Sequence, residues 1–101
     1  MKSMESDTRA IAPSGWNSFK PINFYCHAPE AKLVQLASDF NQWTPIEMLQ
    51  RLEGWWYLQV ELPHGHHQYR FLVDGRPTLD PHAMGVGRDE ADEDVSIIAV
   101  S

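Results

Sequence analysis

The sequence is poor in the features that mark many functional classes. It has one cysteine, Cys26, which excludes an internal disulfide and a cysteine-based zinc cluster. No apolar run approaches the roughly 20 residues of a membrane-spanning helix. The opening stretch mixes Lys2, Glu5, Asp7 and Arg9 and lacks the apolar core of a secretory leader. A soluble, cytoplasmic protein is expected. Basic residues are scarce: 8 Lys and Arg stand against 14 Asp and Glu, a formal charge of -6. Phosphate backbones and anionic lipid surfaces both require clustered cations, so neither nucleic acid nor membrane is expected as a partner. No GxSxG, HExxH or phosphate-loop pattern occurs, and a chain this short has little room for a deep catalytic cleft. It reads as non-catalytic and without a cofactor. No segment carries a helical hydrophobic period over about ten residues.

What is present is a β pattern. A chain of 101 residues accommodates one domain. Residues 1–20 read as a flexible N-terminal tail, and 21–101 as the domain. Ile22, Phe24 and Cys26 alternate onto one face. Val34 and Leu36 point inward on the next strand. Asp39 to Pro45 is rich in turn formers, and Ile46 to Leu49 is ambiguous. A long strand from Trp55 to Leu62 places Trp56, Leu58, Val60 and Leu62 on the core face. Trp55, Tyr57, Gln59 and Glu61 fall on the wet face. After the Pro63-His64-Gly65 hairpin, Tyr69, Phe71 and Val73 point inward and Gln68, Arg70 and Leu72 outward. Asp74-Gly75 is a tight turn, and Arg76 to Pro81 is short and extended. His82 to Asp94 reads as a loop and Val95 to Val100 as the last strand. Short strands with closely spaced turn signals predict an all-β, antiparallel β-sandwich.

Four tryptophans in so short a chain exceed what a small core encloses, so some must lie at the surface. Trp43 sits in a loop, where an indole offers a flat apolar platform. A sugar ring has a C–H face that stacks on such a platform and hydroxyls that seek amide or charged partners. Arg70, outward on its strand, supplies donors of that kind. Trp55, outward on another strand, is a further candidate. His64 and His66 are two nitrogen ligands without a third, and no functional metal site is expected from them. Asp89 to Asp94 contributes five of the 14 acids, so the negative charge is local. It lacks the ligand spacing of a calcium loop and reads as a solvated loop.

Several stretches together resemble a known family. They are Ala28-Pro29-Glu30-Ala31, Lys32-Leu33-Val34-Gln35-Leu36, Asp39-Phe40-Asn41-Gln42-Trp43, Leu62 through Gly75, and Asp80-Pro81. The series is similar to carbohydrate-binding module family 48, especially the glycogen-binding domain of the β subunit of AMP-activated protein kinase. It also resembles the N-terminal modules of isoamylases and branching enzymes. The resemblance implies an immunoglobulin-like, early-set sandwich that binds α-1,4-glucan (glycogen, starch or maltodextrin) without catalysis. It makes a larger carbohydrate-active enzyme or kinase a candidate partner. It implies a sugar platform at Trp43, in the motif that includes Asn41, and a basic contact at Arg70. Ala91, Glu93 and Val95 stand at sugar-facing positions, where the family presents Leu, Thr and Asn. Pro77 stands where the family places a second platform Trp, so weakened binding is implied. A protein-interaction module that keeps the fold without the sugar site is the alternative reading.

Overall fold

The computed structural model describes residues 19–101. The expected tail lies outside the described residues, with Trp16, except for its last two members. Phe19 and Lys20 already belong to the first strand.

Among the described residues, nine strands and two short 3-10 turns follow one another. They are β1 (Phe19–His27), β2 (Val34–Ser38), a 3-10 turn (Asp39–Asn41), β3 (Ile46–Glu47) and β4 (Leu49–Gln50). A second 3-10 turn (Leu52–Gly54) precedes β5 (Trp55–Pro63), β6 (Gly65–Val73), β7 (Arg76–Thr78), β8 (Gly85–Arg88) and β9 (Asp94–Val100). Every pairing is antiparallel. One sheet runs β3-β2-β6-β9-β8, with β7 also paired to β6. The other runs β1-β5-β4. The fold is the all-β sandwich that the alternating pattern predicts.

Alternation decides which side chains meet between the sheets. Phe24, Cys26, Trp56 and Leu62 come from the three-stranded sheet, and Val34, Leu36, Tyr69, Phe71 and Val100 from the six-stranded one. Val34, Leu36, Leu62 and Phe71 are fully buried. The buried Trp56 indole keeps a partner, donating from Nε1 to the Ala28 carbonyl at 3.1 Å. Burial pushes the Cys26 thiol pKa up, and the Asp80 charge adds to this. Tyr69 is pushed up for the same first reason, and its hydroxyl also donates to Asp80 at 2.7 Å.

Two segments differ from the sequence expectation. Ile46 to Leu49 is ambiguous because the chain changes sheets there. Ile46 pairs with Leu36 of one sheet and Leu49 with Tyr57 of the other. Met48 is buried at the crossing, its N–H bonded to the Val34 carbonyl at 2.9 Å. The expected loop over 82–94 contains β8. Gly85 and Gly87 hide its strand character, since glycine has no side chain to show alternation. At Gly87 the chain approaches closely: a Cβ there would lie 2.8 Å from Ile97 Cδ1.

Loop anchors fix the ends of the strands. Asp74 Oδ1 accepts the N–H groups of both Lys32 and Leu33 at 2.9 Å. Asp80 accepts from the His82 N–H and the Tyr69 hydroxyl, while its own N–H reaches Ser96 Oγ. Both aspartates therefore organise loops. Gly54 is left-handed at φ +83, and a Cβ there would fall 2.6 Å from Pro29 Cβ. That turn requires glycine on both counts.

Candidate functional site

The site is built on the turn after β2. Ser38 is fully buried; its hydroxyl donates to the Gln68 carbonyl at 2.9 Å and accepts from the Phe40 N–H. Asp39 Oδ2 accepts the Gln68 N–H. These bonds pin the turn to β6. Asn41 closes it, with Nδ2 donating to the Thr44 carbonyl at 2.9 Å. The Trp43 N–H returns to the Ser38 carbonyl at 2.8 Å. Gln42 and Trp43 are both left-handed, at φ 62. Two consecutive non-glycine residues there cost about 1–3 kcal/mol each, a strain typical of functional loops. The strain turns the chain so that Trp43 lies over the sheet and not beyond it.

Arg70 is beneath it. Tyr69 and Phe71 point into the core, so Arg70 points to the outer face of the six-stranded sheet. Its guanidinium carbon is 4.7 Å from the centre of the Trp43 ring. This cation–π stack contributes about 1 kcal/mol. Nη2 of Arg70 is bonded to Asp89, and Nη1 donates to Glu93 Oε1 at 3.2 Å. The Arg70 side chain is only 14% exposed, whereas Glu93 is 61% exposed. Arg70 Nε and Asn41 Oδ1 are buried without a hydrogen-bond partner among the described residues. Both belong to residues of this cluster.

The acidic stretch is an ordered turn, not merely a solvated loop. Asp89 Oδ1 accepts the N–H groups of Ala91 and Glu93 at 2.9 Å. The Glu93 N–H, with the Arg70 and Ala91 donors, holds the Asp89 carboxyl below its ordinary pKa. Arg88 pairs with Asp92 at 3.2 Å and Asp94 at 3.3 Å. Two arginines thus engage four of the five acids of this stretch.

The structure brings Trp43, Arg70, Asn41 and Glu93 into one cluster. Trp55 is elsewhere. Its neighbour Trp56 faces the core, so Trp55 lies on the outer face of the three-stranded sheet, across the sandwich from Trp43. There it stacks against His27, with ring centres 4.7 Å apart. Val95 alternates with Ser96, which pairs with the core-facing Tyr69, so it lies on the outer face with Arg70 but is fully covered there. Ala91 is spent on the Asp89 turn. Pro77 pairs with Leu72, which shares the outer face with Arg70, but it brings no indole there. Asp89 is the residue that sequence reasoning missed. Its partner Arg70 lies 19 residues away, and no local pattern announces the pair.

The family model for the glycogen recognition site of AMP-activated protein kinase matches residues 21–101. The chain belongs to this family. The glycogen-recognition family describes a non-catalytic module, and its match spans both sheets of the sandwich. Among the described residues no cluster of metal ligands accompanies it. The module is 42% identical over 67 residues to the 1,4-alpha-glucan branching enzyme of Lactobacillus acidophilus, covering 60% of this chain and 10% of that enzyme. It is 44% identical over 50 residues to 5'-AMP-activated protein kinase subunit beta-1 of Sus scrofa, covering 50% of this chain and 40% of that sequence. The human beta-1 subunit is 42% identical over 50 residues, 50% of this chain and 18% of its own length. The chain therefore spans less than half of these relatives. Pullulanase from Bacillus acidopullulyticus shares the fold of the glycogen-recognition module: TM-score 0.54, 22% identity, 82% of this chain and 11% of that one. No helix among the described residues is long and apolar enough to cross a membrane.

Proposed function

We propose that the module binds α-1,4-glucan on the outer face of the six-stranded sheet, with Trp43 as the stacking platform. The observation that carries this reading is the Arg70 guanidinium held 4.7 Å from the Trp43 ring on an outward face. One indole face is backed by the cation, and the half-buried Trp43 keeps part of its ring for the C–H face of a glucose unit. The exposed Glu93 offers an acceptor for sugar hydroxyls beside it, whereas Arg70 and Asn41 hold the platform in place, their polar atoms being bonded within the protein or buried. The relatives named for glucan branching and for the kinase β subunit support this ligand class, with a larger carbohydrate-active enzyme or kinase as partner. The cytoplasm, where a lone buried Cys26 stays reduced, suits it. The domain is taken to run from β1, at Phe19, to Ser101.

Binding is weak in this reading. Pro77 supplies no second platform, and Asp89 and Glu93 already occupy the terminal nitrogens of Arg70. Titration with maltoheptaose and electrophoresis through glycogen-containing gels test it. Trp43→Ala should lower affinity about tenfold, the cost of one aromatic stack. Absence of any binding below about 1 mM, with no effect of Trp43→Ala, would sink the proposal. The exposed Pro77, in place of a second platform, motivates a second reading, a protein-interaction module that retains the fold. Capture of an enzyme or kinase partner by a chain that ignores both glucans would decide for it.

A further inference from the structure

The outer face of the three-stranded sheet is not accounted for by the Trp43 cluster. Its strands pair His27 with Trp55, Tyr25 with Tyr57, and Asn23 with Gln59 in successive rows. The rings meet within the rows: His27 and Trp55 at 4.7 Å, and Tyr25 and Tyr57 at 5.3 Å between centres. Tyr25 is 53% exposed and Trp55 39%. A sheet face that exposes paired rings to water pays a hydration penalty and needs a reason. Polar groups are interleaved with the rings. Asn23 Oδ1 accepts from both the Tyr57 hydroxyl and Gln59 Nε2 at 3.0 Å. The Arg51 guanidinium lies 5.2 Å from the Tyr57 ring centre.

A groove of about 970 Å³ joins this face, through Asn23, Tyr25, Arg51, Trp55 and Tyr57, to the core-facing Phe24, Tyr69 and Ile98 at the β1 edge, and Asp80 and His82–Met84 also line it. That volume is at the upper end for small-ligand clefts. Its charge is nearly neutral. Asp80 is the one carboxylate in the lining, and its oxygens are engaged by Tyr69 and His82. Arg51 is the one permanent cation in the lining, and it rests on a ring. A ligand suited to this groove is uncharged, has flat apolar faces, and carries many hydroxyls for amide and guanidinium groups.

From this geometry we infer that the groove over β1 and β5 is a second oligosaccharide-binding surface, on the opposite side of the sandwich from Trp43. The ligand class rests on the glucan reading above; the surface is a separate one. A longer or branched glucan contacts the module on two sides, with Tyr25 and Trp55 as the platforms of the second.

The test is a maltoheptaose titration of the full chain, ¹⁵N-labelled, read by amide and indole chemical shifts. Wild type, Trp43→Ala and a Tyr25→Ala/Trp55→Ala double variant are compared. Tyr25→Phe serves as a variant that keeps the ring. The expected result is that Trp43→Ala still shows saturable shifts at Asn23, Tyr57 and the Trp55 indole. The double variant should lose those shifts, with local affinity down tenfold or more, and Tyr25→Phe should retain them. Loss of every shift in folded Trp43→Ala would overturn the inference and leave the Trp43 reading standing. Shifts confined to β1 and β5, insensitive to Trp43→Ala, would support the groove and remove the Trp43 platform. No shifts in wild type, or concentration-dependent dimerisation through this face in place of sugar binding, would overturn the groove.

Discussion

Single residues decide how the candidate platform is held. Trp43 and Gln42 both occupy left-handed backbone, which glycine and asparagine tolerate and bulkier residues do not. Gln42 is exposed, so its side chain contributes little packing that would offset this. Gln42→Asn should therefore raise stability by about 0.5–1 kcal/mol, measured by urea unfolding, without altering the position of Trp43. A decrease in stability would show that the left-handed turn is not strained. Asp89 is the other decisive residue. Its carboxylate both caps the loop around it and holds Arg70 under Trp43. Its pKa is depressed in the folded chain, so its contribution is present above the unfolded value of about 4. That contribution is lost as pH falls through the lower folded value. Thermal melts between neutral and strongly acidic pH should show this acid limb in wild type and a shallower one in Asp89→Asn. An unchanged limb in that variant would place the acid sensitivity elsewhere.

Elements bring these residues together through pairings that are long in sequence. β6 is the hub: it pairs with β2, β7 and β9 and carries Arg70 outward while Tyr69 and Phe71 fill the core. β2 delivers the Trp43 turn to it, and β9 with β8 delivers the Asp89 turn. The short β3 and β4 tie the two sheets through Met48, which lies 4% exposed between them. Met48→Ala should leave a cavity at the crossing and cost about 2–5 kcal/mol in denaturant unfolding. A cost near zero would mean that the sheets are joined without it.

The described residues form a sandwich whose two outer faces are built differently. One bears the Trp43–Arg70 stack and the other the aromatic groove. Between them, Tyr69 joins the core to Asp80 and hence to the loop that borders the groove. Tyr69 and Cys26 both have raised pKa values, so their neutral forms are favoured on folding. The stability this provides is complete below their ordinary values of about 8.5–10 and is lost as pH rises beyond them. Circular dichroism should show alkaline unfolding, with a flatter alkaline limb in Tyr69→Phe. An equally steep limb in that variant would assign it to other groups.

Strand alternation is a local property, so the sequence by itself determined much of this protein. Phe24, Leu36, Trp56, Leu62 and Phe71 could be assigned to the core because side chains on a strand must point to opposite faces. The same rule placed Arg70 and Trp55 outward. The turn chemistry at Asp39 to Pro45 marked the loop that carries Trp43. Only tertiary structure decided the rest, because it depends on strands distant along the chain. It put Trp43 over Arg70 and Trp55 on the opposite face. It turned an acidic stretch into a clamp on Arg70, hid Val95, and paired the glycine-rich β8. Which outward face a residue joins is set by which sheet its strand enters. That choice is made by backbone pairing and by packing across the core, and no short pattern encodes it.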